Sequence, residues 1–349
     1  MSFKVTVLPG GQEFQAGPEQ TVLDAALAAG IVLPYSCRNG TCSTCEGRVV
    51  SGEYDAGPAP ARILDAADLA RGHTLLCQAR PASDLVIEAR EVRMADDIVV
   101  RKMPVRVLAL EPLAPDVMEI TLQLPSAEAF RFQPGQYLEF ILKDGSRRSY
   151  SMACGQTDAH RVRLHVRHMP GGLFTSRVFG AGTEPPLKVR DILRIEGPLG
   201  AFFLDPDDTR PILFLASGTG FAPIQAMIEG MLARGDTRPA TLYWGGRRPA
   251  DLYRQDLARQ WQDQLPGFRF VPVLSDAVPD DGWTGRTGWV HQAVMDDLPD
   301  LSGHQVYACG APAMVEAARR DFIRQCGLAQ DAFHADAFTS AADRAGVEA

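Results

Sequence analysis

No stretch of the sequence approaches the ~20 consecutive apolar residues that a bilayer-spanning helix needs. The opening residues, MSFKVTVLPG, also lack the basic-then-apolar plan of a secretory signal. These absences set the expectation of a cytoplasmic protein with no membrane insertion. Clusters of Lys and Arg interleaved with aromatics are missing and the formal net charge is −8, so nucleic acid is not an expected partner. The sequence has no internal repeat, no low-complexity tract, no H-E-x-x-H, no nucleophile elbow and no phosphate-transfer motif. His160, His165 and His168 lie close together, but on a strand His165 points opposite to the other two. All seven histidines are read as structural.

Cysteine is what the chain has in a pattern. Cys37, Cys42 and Cys45 crowd into SCRNGTCSTC, and Cys77 follows in HTLLCQARP, giving C-x4-C-x2-C-x31-C. Thiols stay reduced in the expected compartment, and seven cysteines is an odd number, so a disulfide framework is disfavoured. Four thiolates at this spacing suit two irons bridged in a [2Fe–2S] cluster. Gly40 allows close approach or a positive φ in the wrap. Zinc is the nearest rival, but structural zinc sites draw on two short-spaced pairs and only Cys42 and Cys45 form one. Cys154, Cys309 and Cys326 are too dispersed for a second cluster.

At 349 residues and 46% hydrophobic, the chain is long enough for two or three domains, each with its own core. Residues 1–92 mix strand-like FKVTVL, EFQA and DLVIEA with one helical stretch, TVLDAALAAG, where Thr21 can cap and Gly30 can stop the helix. Residues 93–102 read as a connector. Residues 103–204 alternate apolar and polar residues between Pro and Gly punctuation, the texture of an antiparallel barrel. Residues 205–349 alternate strands (PILFLA, ATLYWG, RFVPVLS, HQVYACG) with helices (APIQAMIEGMLARG, ADLYRQDLARQWQDQ, WVHQAVMDDL, AMVEAARRDFIRQCG), which implies a parallel sheet covered on both faces. The first 98 residues hold 13 acidic against 8 basic residues, over half the excess negative charge. Such a surface steers toward a basic patch on a partner.

In the middle segment, RRSYSMA sets Arg148 beside Tyr150 and Ser151, a cation for a phosphate next to a ring that can cover a flat cofactor. Further on, MPGGLFTSRVF places Gly172 and Thr175 where a helix opens and backbone N–H groups can meet a second phosphate oxygen. In the last segment a strand runs into Gly218, Thr219 and Gly220, with Pro223 in the first helical turn, where proline costs no hydrogen bond. A pyrophosphate suits that helix start. A second strand-to-helix turn, ACGAPAM, holds Cys309 and Gly310. Between these two turns, LYWGGRRPADLY offers Arg247 and Arg248 before Asp251. The arginines could accept a 2′-phosphate or be solvated.

Together these segments carry a family resemblance over nearly the whole chain. PYSCRNGTCSTCEGRVVSGEYD with LLCQARP resembles plant-type ferredoxin domains, which implies a β-grasp fold with Cys37 and Cys42 on one iron and Cys45 and Cys77 on the other. The remainder resembles the ferredoxin–NADP⁺ reductase superfamily. That resemblance implies an antiparallel β-barrel binding FAD and a parallel-sheet α/β domain binding NADH, with NADPH the other candidate. It implies that Arg148 pairs with the FAD pyrophosphate, Tyr150 packs on the flavin and Ser151 lies near it. Gly172 and Thr175 match the second phosphate motif, and Cys309 lies beside the nicotinamide. Asp336 and Phe338 fit its acidic-x-aromatic element, although eleven residues follow Phe338. Ser151, Cys309 and Asp336 are the expected catalytic residues.

The implied activity is an NAD(P)H-dependent reductase passing electrons through FAD and the cluster to a partner protein docked on the acidic ferredoxin domain. RRSYSMA, LRIEGPLGAFFL, WTGRTGWVHQAV and VYACGAPAM resemble the CDP-6-deoxy-Δ3,4-glucoseen reductases, implying a dehydratase partner. The reductase components of aromatic or alkane oxygenases are the second reading. A redox-sensing or binding module without turnover is a third.

Overall fold

The alternation in FKVTVL buries Val5 and Val7 and leaves Lys4 exposed, so Phe3–Leu8 forms a strand with one wet face. The computed structural model describes residues 2–339, apart from residues 39, 41, 60–62, 91, 95–98 and 127–128. Phe3–Leu8 runs antiparallel to Gln12–Ala16 and parallel to Leu85–Ala89 in a mixed sheet that continues through Glu46–Ser51 to His73–Leu75. Helix Val22–Ala28 buries Val22, Leu23, Ala25 and Ala26. Thr21 caps it, its hydroxyl accepting from Asp24 N at 3.1 Å, and Gly30 ends it with φ +74°. One helix held by a mixed sheet is the β-grasp arrangement. The compact unit built here runs to residue 97 and also includes Gly200–Phe202 and the segment beginning at Ala335. Within the connector expected at 93–102, residues 95–98 lie outside the described residues. Arg93–Met94 pairs with Ile31–Val32, and Arg101 already opens a strand.

The second unit holds two sheets. The antiparallel one runs Arg147–Ser151, Tyr137–Ile141, Ile192–Leu199, Arg101–Ala114, Val117–Gln123, Arg161–Arg167. A bridge between Met152 and Leu164 brings its first edge back to its last, as a barrel requires. Val107, Ile120, Leu122, Leu138, Phe140, Val162, Leu164 and Ile195 fill the interior. Each fully buried aliphatic side chain contributes about 1.5–3 kcal/mol relative to exposure.

The other sheet sets Ile212–Ser217 between Ala240–Gly246 and Gln305–Gly310, all parallel. Phe268–Leu274 and Arg286–Thr287 extend one side, and Phe333–Ala337, a strand not anticipated from sequence, extends the other. Strand order therefore reverses between Ile212–Ser217 and Gln305–Gly310, and ligands of such sheets bind at the carboxyl ends flanking that point. Helix Phe221–Arg234 leaves the first of these strands and Pro312–Gln325 leaves the second. The helix expected over ADLYRQDLARQWQDQ is broken: a 3₁₀ turn at Pro249–Asp251 precedes Gln255–Gln264. Tyr253 and Arg254 spend their side chains on the buried His165 and Glu119, and Asp251 on Arg247, instead of a continuous turn.

Candidate functional site

In the first unit the four predicted cysteines come together as two pairs. The sulfurs of Cys37 and Cys42 lie 3.1 Å apart. The Cys45 and Cys77 thiols hydrogen bond each other, which raises the pKa of Cys45 and lowers that of Cys77. The Cys42 thiol is also held well above its ordinary range, first by its hydrogen bond with Cys37 and then by burial. Gly40 turns with φ +79°, where a Cβ would stand 3.1 Å from Gln78 and 3.3 Å from the Pro58 carbonyl. Its N–H reaches the Cys77 sulfur. Arg38 takes a positive φ of 55° without being glycine, and an ion pair to Asp24 at 2.7 Å pins it there. Among the described residues no three His, Cys, Asp or Glu side chains converge on one point as a single ion demands. Two thiol pairs fit two irons, each taking two thiolates.

In the second unit, strand Arg147–Ser151 carries Arg148, Tyr150 and Ser151. Arg147 pairs with Glu139 and Glu196, each at 2.7 Å. Arg148 makes no ion pair among the described residues and donates to the Arg147 carbonyl at 2.7 Å. Of two adjacent cations, one is neutralised and the other is left for an anion. The Tyr150 ring sits 5.8 Å from Phe140 and 5.4 Å from Phe174, a shelf of aromatics, and burial raises its phenol pKa. Ser151 is buried at the strand end.

Gly172 caps helix Leu173–Phe179, and a Cβ there would stand 2.6 Å from the Thr175 hydroxyl. That hydroxyl donates toward the Met169 carbonyl at 3.0 Å and the Gly172 carbonyl at 3.3 Å, and accepts from Met169 N at 3.2 Å. Thr175 thus shapes the turn from within. A partly buried tyrosine backed by core aromatics, an arginine with no ion pair among the described residues and a glycine turn are compatible with a flavin and its pyrophosphate.

Gly218, Thr219 and Gly220 form a 3₁₀ turn at the switch point, and Pro223 is buried in the next helix. A Cβ on Gly220 would lie 2.1 Å from the Cys309 carbonyl, and one on Gly310, whose φ is +133°, 2.3 Å from Ser217 Oγ. Only glycines let the two strand ends close to this distance. Ser217 Oγ accepts from Ala311 N at 2.9 Å, and Trp244 Nε1 donates to the Gly218 carbonyl at 3.0 Å while stacking on Phe221. Cys309 is fully buried. Arg247 is mostly exposed, yet the Asp251 carboxylate holds it at 3.1 and 3.3 Å, and Arg248 pairs with Asp281 at 2.6 Å.

Sequence reasoning missed Arg167, whose guanidinium would stand 3.0 Å from a Cβ on Gly218 and which reaches Asp251 at 3.4 Å. It also missed the link from Arg163 to Glu229 at 2.8 Å and from Gln225 to the Ala153 carbonyl at 3.0 Å. No local pattern flags these residues, because each pair joins different strands and helices. Asp336, expected near the flavin, is buried in the first unit and accepts a hydrogen bond from Ser36. Phe338 is half-buried in the same unit.

Family models match in the same order along the chain: a 2Fe-2S iron-sulfur cluster binding domain over residues 5–82, an oxidoreductase FAD-binding domain over 104–204 and an oxidoreductase NAD-binding domain over 214–320. The chain is 39% identical over 338 residues to the CDP-6-deoxy-L-threo-D-glycero-4-hexulose-3-dehydrase reductase of Yersinia pestis, covering 97% of this chain and 99% of that protein. It is 37% identical over 344 residues to terephthalate 1,2-dioxygenase reductase component 1 of Comamonas sp., covering 97% and 98%. Among solved structures, the Amycolatopsis cytochrome P450 reductase GcoB is 37% identical, covers 97% of this chain and 99% of its own, and superposes with a TM-score of 0.76. No helix among the described residues is long and apolar enough to cross a membrane. With a [2Fe–2S] domain, a FAD-binding barrel and a nicotinamide domain in one chain, the protein belongs to the iron–sulfur flavoprotein reductases and is an NAD(P)H-dependent oxidoreductase.

Proposed function

We propose that the chain draws electrons from NADH and delivers them through the cluster held by Cys37, Cys42, Cys45 and Cys77 to a partner protein that docks on the acidic ferredoxin module. The observation that carries this reading is the arrangement of those four thiols in two pairs, three on one loop and Cys77 brought to it after strand His73–Leu75. When bound, FAD supplies the exchange between the two-electron chemistry of a nicotinamide and the one-electron chemistry of the cluster.

The chain's own residues do the rest. Arg148 would anchor the FAD pyrophosphate, Tyr150, backed from the barrel core by Phe140 and Phe174, would pack on the ring, and Ser151 closes the strand end. Gly172, set by Thr175, gives its turn to the second phosphate contact. Gly218, Thr219 and Gly220 receive the nicotinamide pyrophosphate at the switch point, where Gly310 and Cys309 complete the opposite wall and Pro223 fixes the helix start. Arg247 lies at the ribose end but is engaged by Asp251, which favours NADH, since a 2′-phosphate would have to compete with a partly buried carboxylate.

The partner is a dehydratase acting on a CDP-linked deoxysugar, supported by the 39% identity to the Yersinia pestis reductase. An oxygenase component is the second reading, favoured by the near-equal likeness to the Comamonas reductase. The compartment we propose is the cytoplasm, where the cluster thiols stay reduced.

The test is an anaerobic titration of the holoprotein with NADH, followed by absorbance and low-temperature EPR. Flavin bleaching with a rhombic [2Fe–2S] signal is the expected result. Bleaching without that signal would remove the four cysteines from the electron path.

A further inference from the structure

The loop that carries three of the four cysteines is fastened by side chains just before Cys37 and just before Cys45. Ser36, immediately before Cys37, donates its hydroxyl to the Asp336 carboxylate, and both residues are buried. Thr44, immediately before Cys45, donates to the Ala335 carbonyl at 3.0 Å. Tyr35 accepts on its hydroxyl from Gly200 N at 2.7 Å and on its carbonyl from Ala201 N at 3.3 Å. Two segments distant in sequence therefore belong to the ferredoxin unit and grip the cluster loop.

From this geometry we propose that Asp336 is a positioning residue of the cluster loop, one that fixes Ser36 and sets the reduction potential of the cluster. The proposal rests on the reading of the four cysteines as its ligands. A hydroxyl has one proton to give, and Ser36 gives it to a carboxylate, so that proton is withheld from the cluster sulfurs. A buried carboxylate hydrogen-bonded to the residue that precedes a cluster ligand opposes the added negative charge, and both effects hold the potential low. The acidic-x-aromatic element of the C-terminal strand thereby acts on the iron–sulfur side of the molecule.

The experiment is an EPR-monitored redox titration of wild-type holoprotein, Asp336→Asn and Ser36→Ala, with iron and FAD content measured for each. In Asp336→Asn the equilibrium for cluster reduction should rise on the order of tenfold, which for one electron is about 59 mV. In Ser36→Ala the carboxylate loses a donor but keeps its charge, so the potential should fall. This opposite sign separates positioning from general damage. Unchanged midpoints and g-values in both variants would overturn the proposal, as would loss of NADH oxidation in Asp336→Asn with the cluster potential intact. Should Asp336→Asn fail to retain iron, Ser36→Ala decides alone, and an unaltered midpoint there overturns it. Absence of any cluster signal in the wild type would instead defeat the ligand reading.

Discussion

The ring of His165 stands 3.2 Å from the Glu119 carboxylate through Nε2 and 3.1 Å from the Tyr253 hydroxyl through Nδ1. A carboxylate only accepts, so Nε2 carries the proton of a neutral ring and Tyr253 donates to Nδ1. Arg254 adds an ion pair to Glu119 at 2.8 Å. Burial lowers the His165 pKa from its ordinary value near 6.5, outweighing Glu119. Burial alone would raise the Glu119 pKa, but the hydrogen bond with His165 and the charge of Arg254 leave it lower than usual. Both shifts act in one direction. A His that resists protonation in the fold loses stability as pH falls below about 6.5, where the unfolded chain binds the proton more readily. A carboxylate with a lowered pKa stabilises above its ordinary value and loses that contribution as pH falls from there through the lowered one.

The melting temperature should therefore hold above about pH 7 and decline steadily toward pH 4. Glu119→Gln should cost about 3–5 kcal/mol at neutral pH, because it leaves Arg254 without its buried partner, and should flatten the decline. Calorimetry of both proteins across this range checks it. A variant as stable as the wild type would remove Glu119 from the network.

Arg147 and Arg148 are neighbours with opposite assignments. Arg148→Ala should weaken FAD binding at least about tenfold, since a charge-assisted contact is worth about 1.5–3 kcal/mol. Arg147→Ala should leave FAD affinity near wild type and act on stability through Glu139 and Glu196. Fluorescence titration of the apoprotein with FAD distinguishes them, and equal affinity in both variants would count against the anchor.

Gly220 admits no side chain, because a Cβ would meet the backbone carbonyl of Cys309 at 2.1 Å. Backbone cannot swing aside as a flexible side chain does. Gly220→Ala should force the two strand ends apart, raising the KM for NADH severalfold and costing about 1–3 kcal/mol. Steady-state kinetics with a parallel melt would reveal it, and wild-type KM would show that the close approach is dispensable.

The proposed nucleotide preference turns on the Asp251 contact with Arg247. NADH should be used with a higher kcat/KM than NADPH, and Asp251→Asn should narrow the ratio by releasing Arg247 to meet a 2′-phosphate. If the variant keeps the wild-type ratio, Arg247 is not the discriminating cation.

The parts of the fold written in short-range pattern were legible in the sequence. Thr21 and Gly30 bracket their helix as expected, and alternation in RVRLHVR and continuous apolar runs in PILFLA marked strands of two different sheets. The cysteine spacing announced a loop whose thiols do come together. What escaped was the chemistry that depends on distant partners. Nothing in RRPADLYR says that Asp251, Tyr253 and Arg254 turn to Arg247, His165 and Glu119 and break the helix there. In sequence the strand Phe333–Ala337 shows only a terminal motif, since its meaning lies in Ser36 and Thr44, some three hundred positions earlier.

Because Gly200–Phe202 and the segment from Ala335 are structural parts of the ferredoxin unit, its boundary in space differs from its boundary along the gene. Excision after residue 97 would strip Tyr35, Ser36 and Thr44 of the partners that hold the iron-binding loop. Chimeras that exchange the amino-terminal module between related reductases would inherit mismatched clasps unless both distant segments travel with it. Recombination within this architecture is thus constrained at three separate stretches of coding sequence, although the module looks, on paper, like a detachable cassette.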